Sequence, residues 1–316
     1  MRRMAFLALI IGVLGFFALN PSSVDAFYQN PNLNLGATGS LEGILPPPGF
    51  YLSLYNAYYA ADDVRDFDGD KMSGNNRLDA VVVIPQVYYI SSRKVFGLTP
   101  GIQALCAIQG LDVDSEQGLD SGRSGSGDLN IGPFVGSNFK LTENSTLFWN
   151  FEIDVFFPTG RYDEDNLINP GANFYTIEPW FNFTWLLPHG FEISSRQHYT
   201  YNTTNRDSWP TGGDRRTGRA YHMNYAVTKT LFSENFRLGV QGYYLKQLTK
   251  DRVEHDGAVP VILRSDNSKE QVFAIGPTLV LVHKGTYFSL GTMFESNVEN
   301  RPKGIKTLFR CVYKFW

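Results

Sequence analysis

The sequence predicts an all-β fold, a transmembrane antiparallel β-barrel of 12 strands connected as an up-and-down meander. Three observations predict it: an export signal at the N-terminus, runs in which apolar and polar residues alternate, and connections that alternate between short and long. After the N-terminal apolar run, no stretch reaches the roughly 18 apolar residues that a membrane-spanning helix needs.

Residues 1–26 have the pattern of a cleaved signal peptide. The chain starts with Met1-Arg2-Arg3, continues with an almost unbroken apolar run to Leu19, and has small residues around Ala26 where a signal peptidase would cut. The alternative is an uncleaved N-terminal membrane helix. We expect the mature chain to start near Phe27, residues 27–48 to be irregular, and residues 49–316 to form the barrel.

Twelve strand-like runs follow this N-terminal region. They begin near Phe50, Leu78, Leu98, Gly127, Leu147, Tyr175, Phe191, Ala220, Phe236, Gln271, Tyr287 and Ile305. The predicted short connections are Ser91–Gly97, Leu141–Ser145, Pro188–Gly190, Phe232–Asn235 and His283–Thr286. The predicted polar connections at the other end are Asp62–Asn76, Leu111–Ser126, Thr159–Asn173, Thr203–Gly218, Thr249–Glu270 and the shorter Val298–Lys303. Outer-membrane barrels combine an even strand number with tight periplasmic turns and long external loops.

Alternation within the runs indicates that each strand has two different environments. In the fifth run, Phe151 and Ile153 lie on one face, and Glu152 and Asp154 lie on the other. A soluble sandwich would turn the apolar face toward its core, whereas a membrane barrel turns it toward lipid. The signal peptide, the unequal connections and the aromatic residues near strand ends favour the barrel.

The last ten residues, TLFRCVYKFW, fit the closing strand of such a barrel. Phe309, Cys311 and Tyr313 are predicted to face lipid, and Arg310 to face the lumen. A C-terminal aromatic strand predicts recognition by the barrel-assembly machinery, although Trp316 places the usual terminal Phe one residue early. The formal net charge of −3 excludes the basic surface that a nucleic-acid partner requires.

Several segments carry a resemblance to a known family. They are VFFPTGRYDEDNLINPGANFYTIEP (Val155–Pro179), SGSGDLNIGP (Ser124–Pro133), GVQGYYLKQLTKDRVEHDG (Gly239–Gly257), AIGPTL and RPKGIKTLFRCVYKF. On these segments, the chain resembles the MetA-pathway phenol-degradation family of outer-membrane proteins over nearly its whole mature length. The resemblance implies a barrel that transports hydrophobic or aromatic compounds, an assignment that follows from the family's association with catabolic pathways.

The alternation also assigns polar and aromatic side chains to the lumen. They are Asp128, Asn130, Glu152, Asp154, Glu178, Trp180, Arg196, His198, His222, Arg237, Gln241 and Arg310. These residues either form the path of a solute or pair with one another and fill a narrow barrel with salt bridges. We expect the carboxylates of Glu152, Asp154 and Glu178 to share one patch of wall, with Arg196 as the nearest inward cation of an acid–base ladder.

The sequence predicts no catalytic residue, no metal site and no cofactor. Asp66, Asp68 and Asp70 alternate as in a calcium loop, but Lys71 replaces the required Gly, so they are a weak loop candidate only. His198 and Thr200 faintly resemble the His-x-Ser arrangement of outer-membrane phospholipases. Thr is a poor substitute for Ser, and a lipid-cleaving site must face the membrane.

Three hypotheses about function remain, all for a protein of the bacterial outer membrane whose partners are the lipid, the assembly machinery and a small-molecule solute. The first is a passive channel for small hydrophobic or aromatic solutes. The second is a non-conducting barrel that acts as a structural or surface-binding protein, and the third, weaker one is a lipid-modifying enzyme.

Cys106 and Cys311 are predicted to face lipid on strands too distant for a disulfide.

Overall fold

The structure, a computed structural model, describes residues 32–115, 121–166, 168–208, 213–254 and 269–316. The predicted signal peptide lies outside the described residues. The strands are β1 (Gly49–Arg65), β2 (Asn76–Ile90), β3 (Thr99–Ser115), β4 (Ser121–Thr142), β5 (Ser145–Phe157), β6 (Thr176–Leu186), β7 (Phe191–Asn202), β8 (Asn205–Ser208), β9 (Gly213–Arg216), β10 (Ala220–Thr230), β11 (Phe236–Gln247), β12 (Arg252–Glu254), β13 (Gln271–His283), β14 (Thr286–Glu299) and β15 (Arg301–Lys314). A single 3₁₀ turn, Pro188–Gly190, connects β6 and β7.

Twelve of these strands form a closed antiparallel barrel in which neighbours along the chain pair with each other. The order is β1-β2-β3-β4-β5-β6-β7-β10-β11-β13-β14-β15, and β15 pairs back with β1 from Tyr51↔Lys314 to Arg65↔Arg301. The predicted meander of 12 strands is therefore confirmed. The five short connections lie together at one end of the barrel. Each follows an even-numbered strand in the barrel order, and in an antiparallel barrel all even-numbered strands run in the same direction.

Two predicted connections are wrong in extent. The sequence predicts a loop over Leu111–Ser126, but β3 continues to Ser115 and β4 starts at Ser121, and Leu111 pairs with Arg123. Backbone pairing needs no apolar side chain, so the ladder continues into a sequence rich in Gly, Ser and Asp. The connection between β14 and β15 shrinks to Asn300, which has a positive φ of 53°.

The long connections at the other end contain structure of their own. β8, β9 and β12 form a small antiparallel sheet within two segments that were predicted to be loops. The connection between β5 and β6 bends toward the barrel wall, where the backbone N–H of Ala172 donates a hydrogen bond to the buried carboxylate of Asp128 (3.1 Å).

The outer face of the barrel is apolar, as contact with lipid requires. On β15, Phe309 and Tyr313 are 40% and 54% exposed, whereas Arg310 between them is 8% exposed and points inward. Aromatic rings gather at the short-connection end, where Phe50 lies 4.7 Å from Tyr89 between ring centroids. No helix in the described residues is both long enough and apolar enough to span a membrane.

The two cysteines are free thiols on the outer face. Cys106 is on β3 and Cys311 is on β15, and two strands, β1 and β2, separate them in the sheet. Each cysteine is partly buried.

An irregular stretch precedes the barrel and lies inside it. Residues 32–48, called the inner segment below, form no strand, and β1 begins directly after them at Gly49. Their backbone groups bond to inward side chains of distant strands: the carbonyl of Leu35 accepts from Lys306 Nζ (3.0 Å), and that of Ser40 accepts from Tyr287 Oη (3.0 Å).

Candidate functional site in the barrel lumen

The structure places all the predicted lumen residues on the inner face of the barrel. Ten are buried, namely Asp128, Asn130, Glu152, Asp154, Glu178, Trp180, His198, His222, Gln241 and Arg310, and the other two, Arg196 and Arg237, are partly buried. Strict alternation on β4 to β7, β10, β11 and β15 explains this placement, because residues two positions apart in a strand point to the same face.

Glu42 of the inner segment is the anion to which two lumen arginines bind. Its carboxylate forms salt bridges with Arg196 on β7 (3.3 Å) and with Arg310 on β15. The guanidinium of Arg196 also lies 4.0 Å from the ring centroid of Trp180, and that of Arg310 lies 4.7 Å from the ring of Tyr55. Glu42 thus connects the inner segment to opposite sides of the barrel wall.

Further hydrogen bonds attach the inner segment to β6, β7 and β10. The carboxylate of Glu192 accepts from the hydroxyl of Ser40 (2.5 Å) and from the backbone N–H of Leu41 (2.7 Å). The N–H of Gly43 donates to Thr184 Oγ1 (2.8 Å). Gly43 must be a glycine here, because a Cβ would lie 2.3 Å from the backbone nitrogen of Thr184.

The carboxylates of Glu152 and Asp154 lie side by side on β5, beneath Gly132 of β4. A Cβ at Gly132 would be 2.1 Å from an oxygen of each carboxylate, so glycine provides the space that they occupy. Asp154 accepts hydrogen bonds from Gln103 Nε2 (2.9 Å) and Trp180 Nε1 (3.0 Å), whereas Glu152 Oε1 is buried and has no hydrogen-bond partner within the part of the chain that the structure describes.

The predicted acid–base ladder is wrong in its cation. Arg196 was expected to be the partner of Glu152, Asp154 and Glu178, but its salt bridge is with Glu42. In the described part of the chain, no lysine or arginine forms a salt bridge with any of the three carboxylates. The physical reason is that the inner segment brings in a fourth carboxylate, which competes successfully for the nearest guanidinium groups.

Glu178 instead binds two histidines and a threonine. Its Oε1 is 2.8 Å from His198 Nδ1, and its Oε2 is 3.1 Å from His222 Nε2 and 2.8 Å from Thr200 Oγ1. His198 and His222 are register partners on β7 and β10, so their rings stack with a centroid distance of 4.2 Å and an interplanar angle of 11°. All four side chains are buried.

A cavity of about 720 Å³ lies between the inner segment and the wall formed by β1, β2 and β3. This wall is mainly apolar, with three glutamines among its lining residues, Gln86, Gln103 and Gln109. Its aliphatic side chains are Ala57, Leu78, Ala80, Val82, Ile84, Leu105, Ala107, Leu111 and Val113. The inner segment contributes Leu33, Leu35, Leu41, Ile44 and Leu45 to the same cavity. Lining residues extend from Ile168, near the long connections, to Gly285 in a short turn.

Sequence reasoning missed this apolar wall and the role of Glu42. The signal for the wall was present, because β2 contains Val81, Val82, Val83 and Ile84 in succession, which indicates a strand that is apolar on both faces. No comparable signal existed for Glu42. An irregular segment has no period from which the direction of a side chain could be predicted.

The two weak candidates from the sequence have structural roles. Asp66 Oδ1 accepts the backbone N–H groups of Asp68 (3.0 Å) and Asp70 (2.9 Å), so this carboxylate stabilises the turn between β1 and β2. Thr200 Oγ1 donates to Glu178 and is buried in the barrel, away from the lipid-facing surface.

Comparisons with known proteins agree with this fold. The sequence profile of the family described as "Putative MetA-pathway of phenol degradation" matches residues 61–311. A COG4313 outer membrane channel from Pseudomonas putida F1 has a similar structure, with a TM-score of 0.73 and 17% identity, over 85% of this chain and 96% of that one. No curated protein sequence matches the chain.

Weaker structural similarity extends to autotransporter barrels. The β-domain of the Bordetella autotransporter BrkA has a TM-score of 0.45 and 9% identity, over 85% of this chain and 100% of that one. The translocator domain of NalP from Neisseria meningitidis has a TM-score of 0.44 and 8% identity, over 85% and 90% respectively.

Proposed function

Because the chain belongs to the MetA-pathway phenol-degradation family and is a β-barrel of the bacterial outer membrane, we propose that it is a channel for the passive uptake of small hydrophobic or aromatic solutes. The observation that carries the proposal is the apolar inner wall of β1, β2 and β3. Porin lumens are normally polar and filled with water. A wall of aliphatic side chains favours solutes that leave water readily.

The expected strength of solute binding suits passage. A ring that buries about 150 Å² of apolar surface gains about 4 kcal/mol at 25 cal/mol per Å². Loss of translational and rotational freedom on binding offsets a large part of this gain. The resulting weak binding lets a solute enter the cavity and leave it again, which conduction requires.

A second candidate function is a barrel that does not conduct and serves a structural or surface-binding role. The observation that favours it is the inner segment, which occupies part of the lumen and is anchored by the buried Glu42–Arg196 and Glu42–Arg310 salt bridges. In both cases, the predicted signal peptide would direct export, the C-terminal strand would be recognised by the assembly machinery, and the protein would not be an enzyme.

Blocking the cavity from one strand tests the channel proposal. Ala57 lines the cavity, whereas Ala60 on the same strand faces outward. In proteoliposomes, Ala57→Trp should reduce the uptake of a radiolabelled monocyclic aromatic hydrocarbon several-fold relative to the wild type. Ala60→Trp adds the same side chain on the lipid-facing surface and should leave the rate unchanged.

Protein-free liposomes measure the background, because a small aromatic hydrocarbon also crosses lipid unaided. A cell-based version uses a strain that lacks the protein and compares aromatic acids, hydrocarbons and sugars. Uptake by the wild-type protein at the protein-free rate for every solute would contradict the channel and favour the non-conducting barrel.

A further inference from the structure

We propose that Glu178, His198 and His222 form a binding site for a divalent transition-metal ion of the zinc class, in the polar wall of the lumen. The three residues lie on the adjacent strands β6, β7 and β10. One carboxylate and two imidazoles are a donor set that zinc accepts, and it leaves a fourth position for water or another ligand.

The three donor atoms lie close together. One ligand atom from each residue lies within 4.8 Å of those from the other two. A tetrahedral zinc ion with bonds of about 2.0–2.1 Å needs donors roughly 3.4 Å apart. The hydrogen bonds of 2.8 Å and 3.1 Å that join Glu178 to His198 and His222 show that the carboxylate faces both rings. Metal binding would replace the protons of these two hydrogen bonds.

The surrounding charges favour a cation. Glu152, Asp154 and Glu178 are buried on neighbouring strands, and the arginines nearest to them bind Glu42. Buried carboxylates that lack a lysine or arginine partner are expected to be protonated or to coordinate a metal. A divalent ion at Glu178 would offset two of these negative charges at once.

The site has an orienting group and an entry path. Thr200 Oγ1 donates a hydrogen bond of 2.8 Å to Glu178 Oε2. Hydrogen bonds of this kind, from a residue that does not itself bind the metal, orient a coordinating carboxylate. Glu178 is a lining residue of the cavity, so the proposed site adjoins the lumen from which an ion would enter. Among the described residues, His198 Nε2 and His222 Nδ1 are buried without a hydrogen-bond partner, and in the metal-bound form these ring nitrogens would carry the N–H protons.

Cobalt substitution tests the site directly. The full-length untagged protein in detergent is treated with EDTA and titrated with Co²⁺, whose visible absorption reports tetrahedral coordination, while elemental analysis gives the stoichiometry. His189 and His283 are exposed histidines at the short-connection end of the barrel, so the His189→Gln/His283→Gln double variant serves as the matched control. We expect one Co²⁺ per barrel in the wild type and in this control.

Three variants of the site separate metal binding from folding. Glu178→Gln and His198→Asn should each abolish the Co²⁺ absorption, and Thr200→Val should weaken Co²⁺ binding by about 10–100-fold. The mobility of unheated samples in a detergent gel shows whether each variant is a folded barrel. The proposal is overturned if the wild type takes up no more Co²⁺ than Glu178→Gln, or if the signal disappears in the His189→Gln/His283→Gln control.

Discussion

Neutralising Glu42 should release the inner segment from the barrel wall without unfolding the barrel. Glu42→Gln keeps the shape of the side chain but removes the charge that binds Arg196 and Arg310. The side chains of these three residues are 6%, 14% and 10% exposed, so both ion pairs are buried rather than at the surface. Removing one partner of a buried pair costs about 3–5 kcal/mol.

Two features of the site place the expected cost at the lower end of this range. The amide oxygen of Gln still accepts a hydrogen bond from a guanidinium group, and both guanidinium groups keep their contacts with Trp180 and Tyr55. A loss of about 3 kcal/mol corresponds to a change on the order of 100-fold in an opening equilibrium. The docking of the inner segment is the equilibrium that bears this loss, because Glu42 belongs to that segment.

Amide hydrogen exchange measures the effect residue by residue. Three backbone N–H groups report on docking: those of Gly36, Leu41 and Gly43, which donate to Asn224, Glu192 and Thr184 respectively. Their exchange in Glu42→Gln should be on the order of 100-fold faster than in the wild type, with strand amides unchanged. Glu143→Gln removes an exposed carboxylate in a short turn and serves as the control.

Two results would refute this reasoning. Unchanged exchange at Gly36, Leu41 and Gly43 would mean that Glu42 does not hold the inner segment. Equal acceleration at these amides and in the strands would mean that the ion pairs stabilise the whole barrel and that the segment has no docking equilibrium of its own.

Two further predictions concern sterics and pH. Gly43→Val should accelerate exchange in the inner segment even more, because its Cβ would lie 2.3 Å from the backbone nitrogen of Thr184; Gly110→Ala, with nothing within 4 Å of the added Cβ, should have no effect. A hydrogen bond from Arg123 holds the pKa of Asp163, in the connection between β5 and β6, below its usual range. Because the pKa of Asp163 is lower in the folded protein than in the unfolded chain, its carboxylate stabilises the folded loop at pH values above the usual pKa of Asp. This contribution is lost as the pH falls through the lowered pKa. Carboxyl NMR titration should show the low pKa, and Arg123→Gln should raise it; an unchanged titration in that variant would contradict the assignment.

Strand parity was the part of the fold that the sequence predicted best. Glu152, Asp154 and Glu178 point inward as the alternation requires, because one slip in register would place all of them in lipid. Strand ends were predicted less well. Pairing such as that of Leu111 with Arg123 depends on backbone groups, and these are the same in a polar loop and in a polar strand.

The charge partners in the lumen could not be predicted from strand parity alone. Parity gives the direction of a side chain but not the position of a segment that enters the barrel from outside the repeat pattern. Glu42 belongs to such a segment, and it binds the two arginines that would otherwise face the lumen carboxylates. The same competition leaves Glu178 to the histidines, so the metal site proposed above depends on where the inner segment lies.

The inner segment also determines the chemistry of the cavity. Its polar and backbone groups bond to Thr184, Glu192 and Asn224 on the polar wall. Its apolar side chains, Leu35 and Ile44 among them, line the cavity. Leu35 also belongs to a buried apolar cluster with Tyr55 of β1 and Tyr243 of β11. The segment therefore covers a polar surface with an apolar one. Its removal would widen the lumen and make it more polar at the same time. For the proposed channel, we therefore expect uptake of an apolar solute to require the docked segment and uptake of a hydrophilic solute to require its release.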